Sequence, residues 1–258
     1  MKKIDFEKIF KNLGIKKKDK ILISSNLLKM IISKKRGNIK FEIKDIIDKL
    51  IEVIKKDGTI LVPTFNWDFC RGLGFHYKKT LSHSGSLGNY VLKRRDFKRT
   101  KNPIYSFAVY GKDQEYLSNL DNKSCFESNS PFGYMAKQNV KNLYIDIDNI
   151  YEDSFTLCHL VEQEVGVSYR FLKNFSGPYV HSDLKSKEKS YSMYVRKLNL
   201  KIKTGVNPIM RKELIKKKSY IEREFNKINF KVVKMKAAYE IMKNSLLNKG
   251  NIIFKQKL

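Results

Sequence analysis

In the stretch SFTLCHLVEQEV, residues 154–165, a histidine stands three positions before a glutamate. On a helix, positions i and i+3 are neighbours, so His159 and Glu162 can touch. Imidazole titrates near neutrality. A carboxylate on one ring nitrogen orients the ring and leaves the other nitrogen to accept a proton, which is general-base chemistry. Thr156, one turn earlier on roughly the same side, would add a hydroxyl near the same centre. The same spacing also describes a solvated surface ion pair worth about a few tenths of a kcal/mol, and spacing alone does not separate the two readings. Cys158 sits about 100° around the helix from His159, which argues against a shared small metal ion and against a Cys–His nucleophile. No metal is expected.

The elements that must position this pair are those of a layered α/β domain. KILISS reads as a strand ending in a polar Ser-Ser turn at Ser24 and Ser25. Ile43, Ile46, Ile47, Leu50, Ile51 and Ile54 recur at helical spacing, KKDG stops that helix, and TILVPTF at 59–65 follows as a second strand. Strand, helix, strand in this order predicts a layered mixed β-sheet flanked by helices. Residues 66–85 have little periodicity yet hold the only Trp and two of the four histidines, as functional loops do. A helix is expected from Ser86, strands at 106–110 and 142–148, and a helix over 154–165 whose buried stripe is Leu157, Leu160, Val161 and Val165. Beyond residue 186, SYSMYVRKLNLKIK alternates as one strand, NFKVVKMK reads as another, and AAYEIMKNSLLNKG as a helix closed by Gly250. No repeat or Pro/Gly/Ser-rich linker divides the chain, so residues 1–258 are read as one domain.

Composition bounds what that domain can be. With 258 residues, 41% of them hydrophobic and 12% aromatic, the chain can fill a real core. Fifty-three Lys and Arg against 26 Asp and Glu give a net charge of +27, which favours anionic partners. The lysines are spread rather than blocked, with only short runs at 16–20 and 216–218, so dedicated nucleic-acid binding is not expected. Cys70, Cys125 and Cys158 form no CxxC pair, consistent with a reducing cytoplasm and no disulfide framework. No apolar segment approaches membrane-spanning length, and the start lacks a signal-peptide core.

Taken in order, several segments resemble the aminoglycoside 3-N-acetyltransferase family. GTILVPTF at 58–65 is similar to that family's GTLVVPTF strand, and ILISSNL to its strand ending in Ser-Ser-Leu. TLSHSGSLG at 80–88 resembles TPSxxGxL, RTKNPIYSFAVYG at 99–111 resembles RSxHPxxSFxxxG, and SNSPFG at 128–133 resembles GSPLG. The stretch 153–162 matches DSNTxLHxAE at Asp153, Ser154, Thr156, Leu157, His159 and Glu162. The resemblance covers roughly residues 20–175 and fades towards the C-terminus. Departures are Leu81 for Pro, Asn89 for Glu, Asn102 for His and Phe155 for Asn.

The resemblance implies acyl transfer from acetyl-CoA or another acyl-CoA to an amine of a sugar. By carry-over, His159 is the general base, Glu162 orients it, and Thr156 is a candidate oxyanion donor. CoA is expected at Ser24, Ser25 and Asn26, at the Ser82–Gly85 loop including Ser84, and at Ser106 and Phe107. A polycationic aminoglycoside suits a chain of +27 poorly. The segment 165–177 brings Tyr169, Arg170 and Lys173 after the catalytic helix, where an Arg fork pairs with pyrophosphate and Tyr stacks on a sugar or base. With Asp153, these are the expected acceptor contacts. The segment also resembles that of family members that acylate nucleotide-linked amino sugars for surface polysaccharides or glycoproteins, so such a sugar is the preferred acceptor; antibiotic resistance by aminoglycoside acetylation is the alternative. A catalytically silent CoA-binding protein would be expected to lose the His–Glu pair. A homodimer is compatible with the sequence.

Overall fold

The computed structural model describes residues 2–150, 155–181 and 185–257. The first half of the chain runs β1 (Lys2–Lys3), α1 (Phe6–Asn12), β2 (Lys20–Ser25), α2 (Leu28–Lys35), β3 (Ile39–Lys40), α3 (Ile43–Ile54), β4 (Thr59–Pro63), β5 (Phe75–His76), α4 (Ser86–Val91), β6 (Lys98–Arg99) and β7 (Phe107–Gly111). The second half runs α5 (Gln114–Asn119), α6 (Pro131–Lys137), β8 (Val140–Ile145), α7 (Cys158–Val165), β9 (Arg170–Val180), β10 (Ser186–Arg196), β11 (Ile202–Val206), α8 (Met210–Lys216), β12 (Tyr220–Phe225), β13 (Ile228–Lys234), α9 (Met235–Leu247) and β14 (Ile253–Lys257).

Seven strands form the central sheet in the order β12-β13-β8-β2-β4-β7-β6. The middle three, β8, β2 and β4, are parallel, and the flanking pairs are antiparallel. The mixed sheet flanked by helices is thus the expected architecture. Period-2 alternation divides the strand residues between two cores. Ile21, Ile23, Ile60, Val62, Leu143 and Ile145 face one core with α1 and α3, while Leu22, Leu61, Tyr144 and Phe107 face the other with α6, α7 and α9. Isoleucine is a modest helix former, so α3 owes its helix chiefly to burial of Ile46, Ile47, Leu50 and Ile54, together with the Asp45 carboxylate accepting from the Glu42 N–H at 2.8 Å.

The structure corrects several boundaries. Ser24 and Ser25 are the last residues of β2, still paired with Tyr144 and Ile145, rather than a turn. The strand expected over 142–148 stops at Ile145, because Asp146 takes a left-handed φ of 52°. The helix expected over 154–165 is α7 and starts at Cys158; Thr156 and Leu157 sit in the turn before it, and Ser154 lies outside the described residues. Of its expected stripe, Val165 is only half-buried. The alternating segment 190–203 is broken at Leu198–Leu200 by a 3₁₀ turn between β10 and β11. The last helix begins at Met235 and ends at Leu247, before Gly250. α1 and α2 were not legible from the periodicity.

β9 and β10 pair antiparallel over eleven residues each, from Arg170↔Arg196 to Val180↔Ser186. This hairpin carries the segment after α7 away as a strand, and β5 joins its free edge. α7 ends on Gly166 in the left-handed conformation, φ 71°, which redirects the chain into Tyr169 and Arg170.

Candidate active site

A cavity of about 350 Å³ opens at the carboxyl ends of β2, β4 and β8. Connections leave β2 and β8 towards opposite edges of the sheet, and such a divergence leaves a crevice for ligands. Residues of β2 and β4, the Ser84–Gly88 segment, Phe107 and the α7 turn line it, with Thr156 and His159 on its wall. Gly88 lets α4 lie against β4: a Cβ there would stand 2.7 Å from the Pro63 carbonyl oxygen and 2.9 Å from Ser82 Oγ.

His159 Nδ1 lies 2.8 Å from Glu162 Oε2. With the carboxylate accepting from Nδ1–H, Nε2 remains to take a proton, and it has no protein partner among the described residues. Phe126 meets the ring edge-on with centroids 5.2 Å apart, fixing its plane. Glu162 is not on a solvated face: its side chain is 1% exposed. The surface ion-pair reading fails on that burial.

Glu162 is held from three sides. Tyr169 donates its hydroxyl to Oε1 at 3.0 Å, and Arg170 Nε stands 2.9 Å from Oε2 as an ion pair. Burial opposes the Glu162 charge, but His159, Arg170 and Tyr169 together outweigh it and keep the carboxyl below its ordinary value. Arg170 also donates to the Tyr194 carbonyl at 3.1 Å, which ties β9 and β10 to α7. Tyr169 and Arg170 were expected to meet the acceptor directly; the structure buries both against Glu162, because the turn at Gly166 brings the start of β9 back onto the helix. Lys173 is exposed on β9 with its ammonium over the Phe175 ring, and Asp153 lies outside the described residues.

Of the residues expected to hold CoA, Ser24, Ser25, Ser84 and Phe107 line the cavity. Asn26, Ser82, Gly85 and Ser106 do not, and three of these serve the backbone. Asn26 Oδ1 accepts from the Leu28 N–H, and Ser82 Oγ accepts from the Ser84 N–H. Gly85 precedes α4 with φ 98°. Ser106 is fully buried, donating to the Thr64 carbonyl at 2.8 Å and accepting from Arg99 Nε at 3.0 Å. Arg99 gives its remaining donors to the carbonyls of Thr64 and Thr80, so the RTKNPIYS motif braces the loop beside the cavity. Asn89 likewise grips Ser82, accepting from its N–H at 2.8 Å and donating to its carbonyl at 2.9 Å.

Cys158 Sγ is 3.4 Å from His159 Nδ1, closer than the helical offset suggested, because the imidazole swings over the first turn to reach Glu162. Donor atoms of Cys158, His159 and Glu162 lie within 4.8 Å of one another, a span a small ion could bridge. The carboxylate there already carries three protein partners. Burial pushes the Cys158 thiol far up, so it is a neutral thiol rather than a nucleophile.

Sequence reading missed Asn142, Trp67, Tyr105 and Met235, which also line the cavity. Trp67 and Tyr105 lay in segments already singled out; Met235 and Asn142 carried no signal, since only the sheet order and the C-terminal helix bring them here.

Among the described residues, no helix is long and apolar enough to cross a membrane. No curated protein matches the chain. Solved structures with the same fold include the YokD protein from Bacillus subtilis, at 19% identity and TM-score 0.72, covering 94% of this chain and 97% of that one. Aminoglycoside acetyltransferase AAC(3)-Xa matches at 15% identity and TM-score 0.74, over 93% and 90% of the two chains. AAC-IIIb in a binary complex with CoASH matches at 14% identity and TM-score 0.74, over 95% and 96%. The family model for aminoglycoside 3-N-acetyltransferase matches residues 33–246, most of the chain. The chain therefore belongs to the aminoglycoside 3-N-acetyltransferase family, whose members are CoA-dependent N-acyltransferases.

Proposed function

We propose that this protein transfers an acyl group from acyl-CoA to the amine of a nucleotide-linked amino sugar, with His159 as general base. The observation that carries the acceptor class is the cavity wall. Among the described residues neither Asp or Glu nor Lys or Arg lines it, and His159 is its one titratable nitrogen base. A polycationic aminoglycoside would call for carboxylates there, whereas an anionic or neutral acceptor does not. AAC-IIIb, which shares the fold, is a CoASH complex, and this supports acyl-CoA as donor.

In this reading, His159 Nε2 takes a proton from the amine as nitrogen attacks the thioester carbon. The C–N bond forms, the C–S bond breaks, and the imidazolium returns the proton to the departing CoA thiolate. Glu162 fixes the tautomer. Thr156, on the same wall, offers a hydroxyl to the tetrahedral oxyanion. Ser24, Ser25 and Ser84 supply small polar contacts for the pantetheine end. No step requires a metal.

The test is thiol release from acetyl-CoA with amino-sugar nucleotides and aminoglycosides as competing acceptors. Release with the nucleotides and not the aminoglycosides supports the reading; the reverse preference establishes the resistance activity, and sisomicin, bound by AAC-VIa of the same fold, is the natural probe.

A further inference from the structure

Asn142 sits in mid-strand on β8, between Leu22 of β2 and Val233 of β13, and its side chain is directed to the cavity side of the sheet. It is 1% exposed, and its Oδ1 is buried without a hydrogen-bond partner among the described residues. An orphaned buried amide oxygen is costly, and a leucine would fill the same space without that cost. Other orphaned polar atoms, such as Asn122 Oδ1 and Tyr191 OH, do not line the cavity. Among the described residues, Asn142 alone combines burial, an unused acceptor and a place on the cavity wall.

Its depth says which part of a substrate can reach it. The register pairs Asn142 with Leu22 and Tyr144 with Ser24, so Asn142 lies two residues, about 7 Å, below the serine rim. Leu22, its register partner, and the apolar Leu157 and Met235 also line the cavity. A cavity of about 350 Å³ takes one end of CoA or of a sugar nucleotide rather than the whole molecule. The acyl chain beyond the thioester carbonyl is the small group that can extend into it.

We infer that Asn142 reads the acyl group, and that the donor is an acyl-CoA longer than acetyl whose chain carries a hydroxyl, for which the Asn142 amide is the hydrogen-bond partner. A hydroxyl both donates and accepts, so it satisfies the amide in either orientation. This rests on the acyl-transfer reading above and deepens it from an unspecified acyl-CoA to a hydroxyacyl-CoA.

Trp67, the only tryptophan, lines the same cavity and reports binding by its fluorescence without any acceptor. Titration of the wild-type protein with 3-hydroxybutanoyl-CoA and with butanoyl-CoA should show about tenfold tighter binding of the hydroxylated thioester. In Asn142→Leu that preference should vanish or reverse, and the ligand-free variant should melt at a higher temperature than wild type, because an orphaned polar group has been removed. Equal binding of the two thioesters by wild type, retention of the preference in Asn142→Leu, or a lower melting temperature overturns the role of Asn142 while leaving acyl transfer standing. Binding of neither thioester, nor of acetyl-CoA, removes the acyl-CoA reading itself.

Discussion

Glu162→Gln separates charge from shape at the centre of the site. The amide oxygen can still accept from His159 Nδ1, now 2.8 Å away, and Tyr169 can rotate its hydroxyl to accept from the amide NH₂. What is lost is the negative charge opposite Arg170, whose side chain is 8% exposed and whose Nε is 2.9 Å from Oε2. Removing one partner of a buried ion pair costs about 3–5 kcal/mol, and the lower end applies here because Arg170 keeps the Tyr194 carbonyl. A loss of about 3 kcal/mol lowers the melting temperature by about 6–12 °C in a chain of this size. The rate should fall by at least about 10²-fold in kcat/KM, since the base loses the carboxylate that stabilises its imidazolium. Thiol release measured well below both melting temperatures separates the two effects.

The pH dependence of stability has a definite sign. The native Glu162 carboxyl titrates below its ordinary value, so its contribution is complete above the unfolded value of about 4.3 and is lost as pH falls through the lower native one. The stability gap between wild type and Glu162→Gln should therefore be full near pH 7 and close in acid, where protonated wild type resembles the variant. A folded Glu162→Gln protein with wild-type kcat/KM at pH 7, or a gap that widens in acid, would refute the reasoning.

Gly88→Ala must displace the Pro63 carbonyl or Ser82, and overpacking of this kind costs about 1–3 kcal/mol. It should raise the KM for acyl-CoA more than it lowers kcat, measured by thiol release; unchanged KM and melting temperature would show that α4 does not shape the cavity. The three thiols should be silent to Ellman's reagent in the folded protein at pH 8, because burial pushes Cys70 up to about 11, Cys158 further, and Cys125 well above its ordinary value. Rapid labelling of Cys158 without denaturant would contradict the packing around α7.

Much of the scaffold was legible in one dimension because local periodicity is set by local geometry. Ile43–Ile54 is a helix at its expected bounds, and the strands at 20–25, 59–63 and 107–111 alternate between two cores as their sequences require. Helix α7 began four residues late and the 190–203 strand was split, since where an element ends depends on the turns it meets in space. Motif order was also readable, and it led to the family that the chain-wide match bears out.

What residues 159 and 162 could do was written in their spacing; whether they form a solvated pair or a buried one was decided by the tertiary structure. Spacing placed His159 beside Glu162, but a solvated pair and a buried one look alike in sequence. Tertiary structure buried Glu162 and gave it Tyr169 and Arg170 as partners. It also turned Asn142, an unremarked residue of a buried strand, towards the cavity. Such contacts are made across the sheet between residues far apart in the chain, and their energies depend on solvent exclusion, which no pattern of neighbours along the sequence encodes.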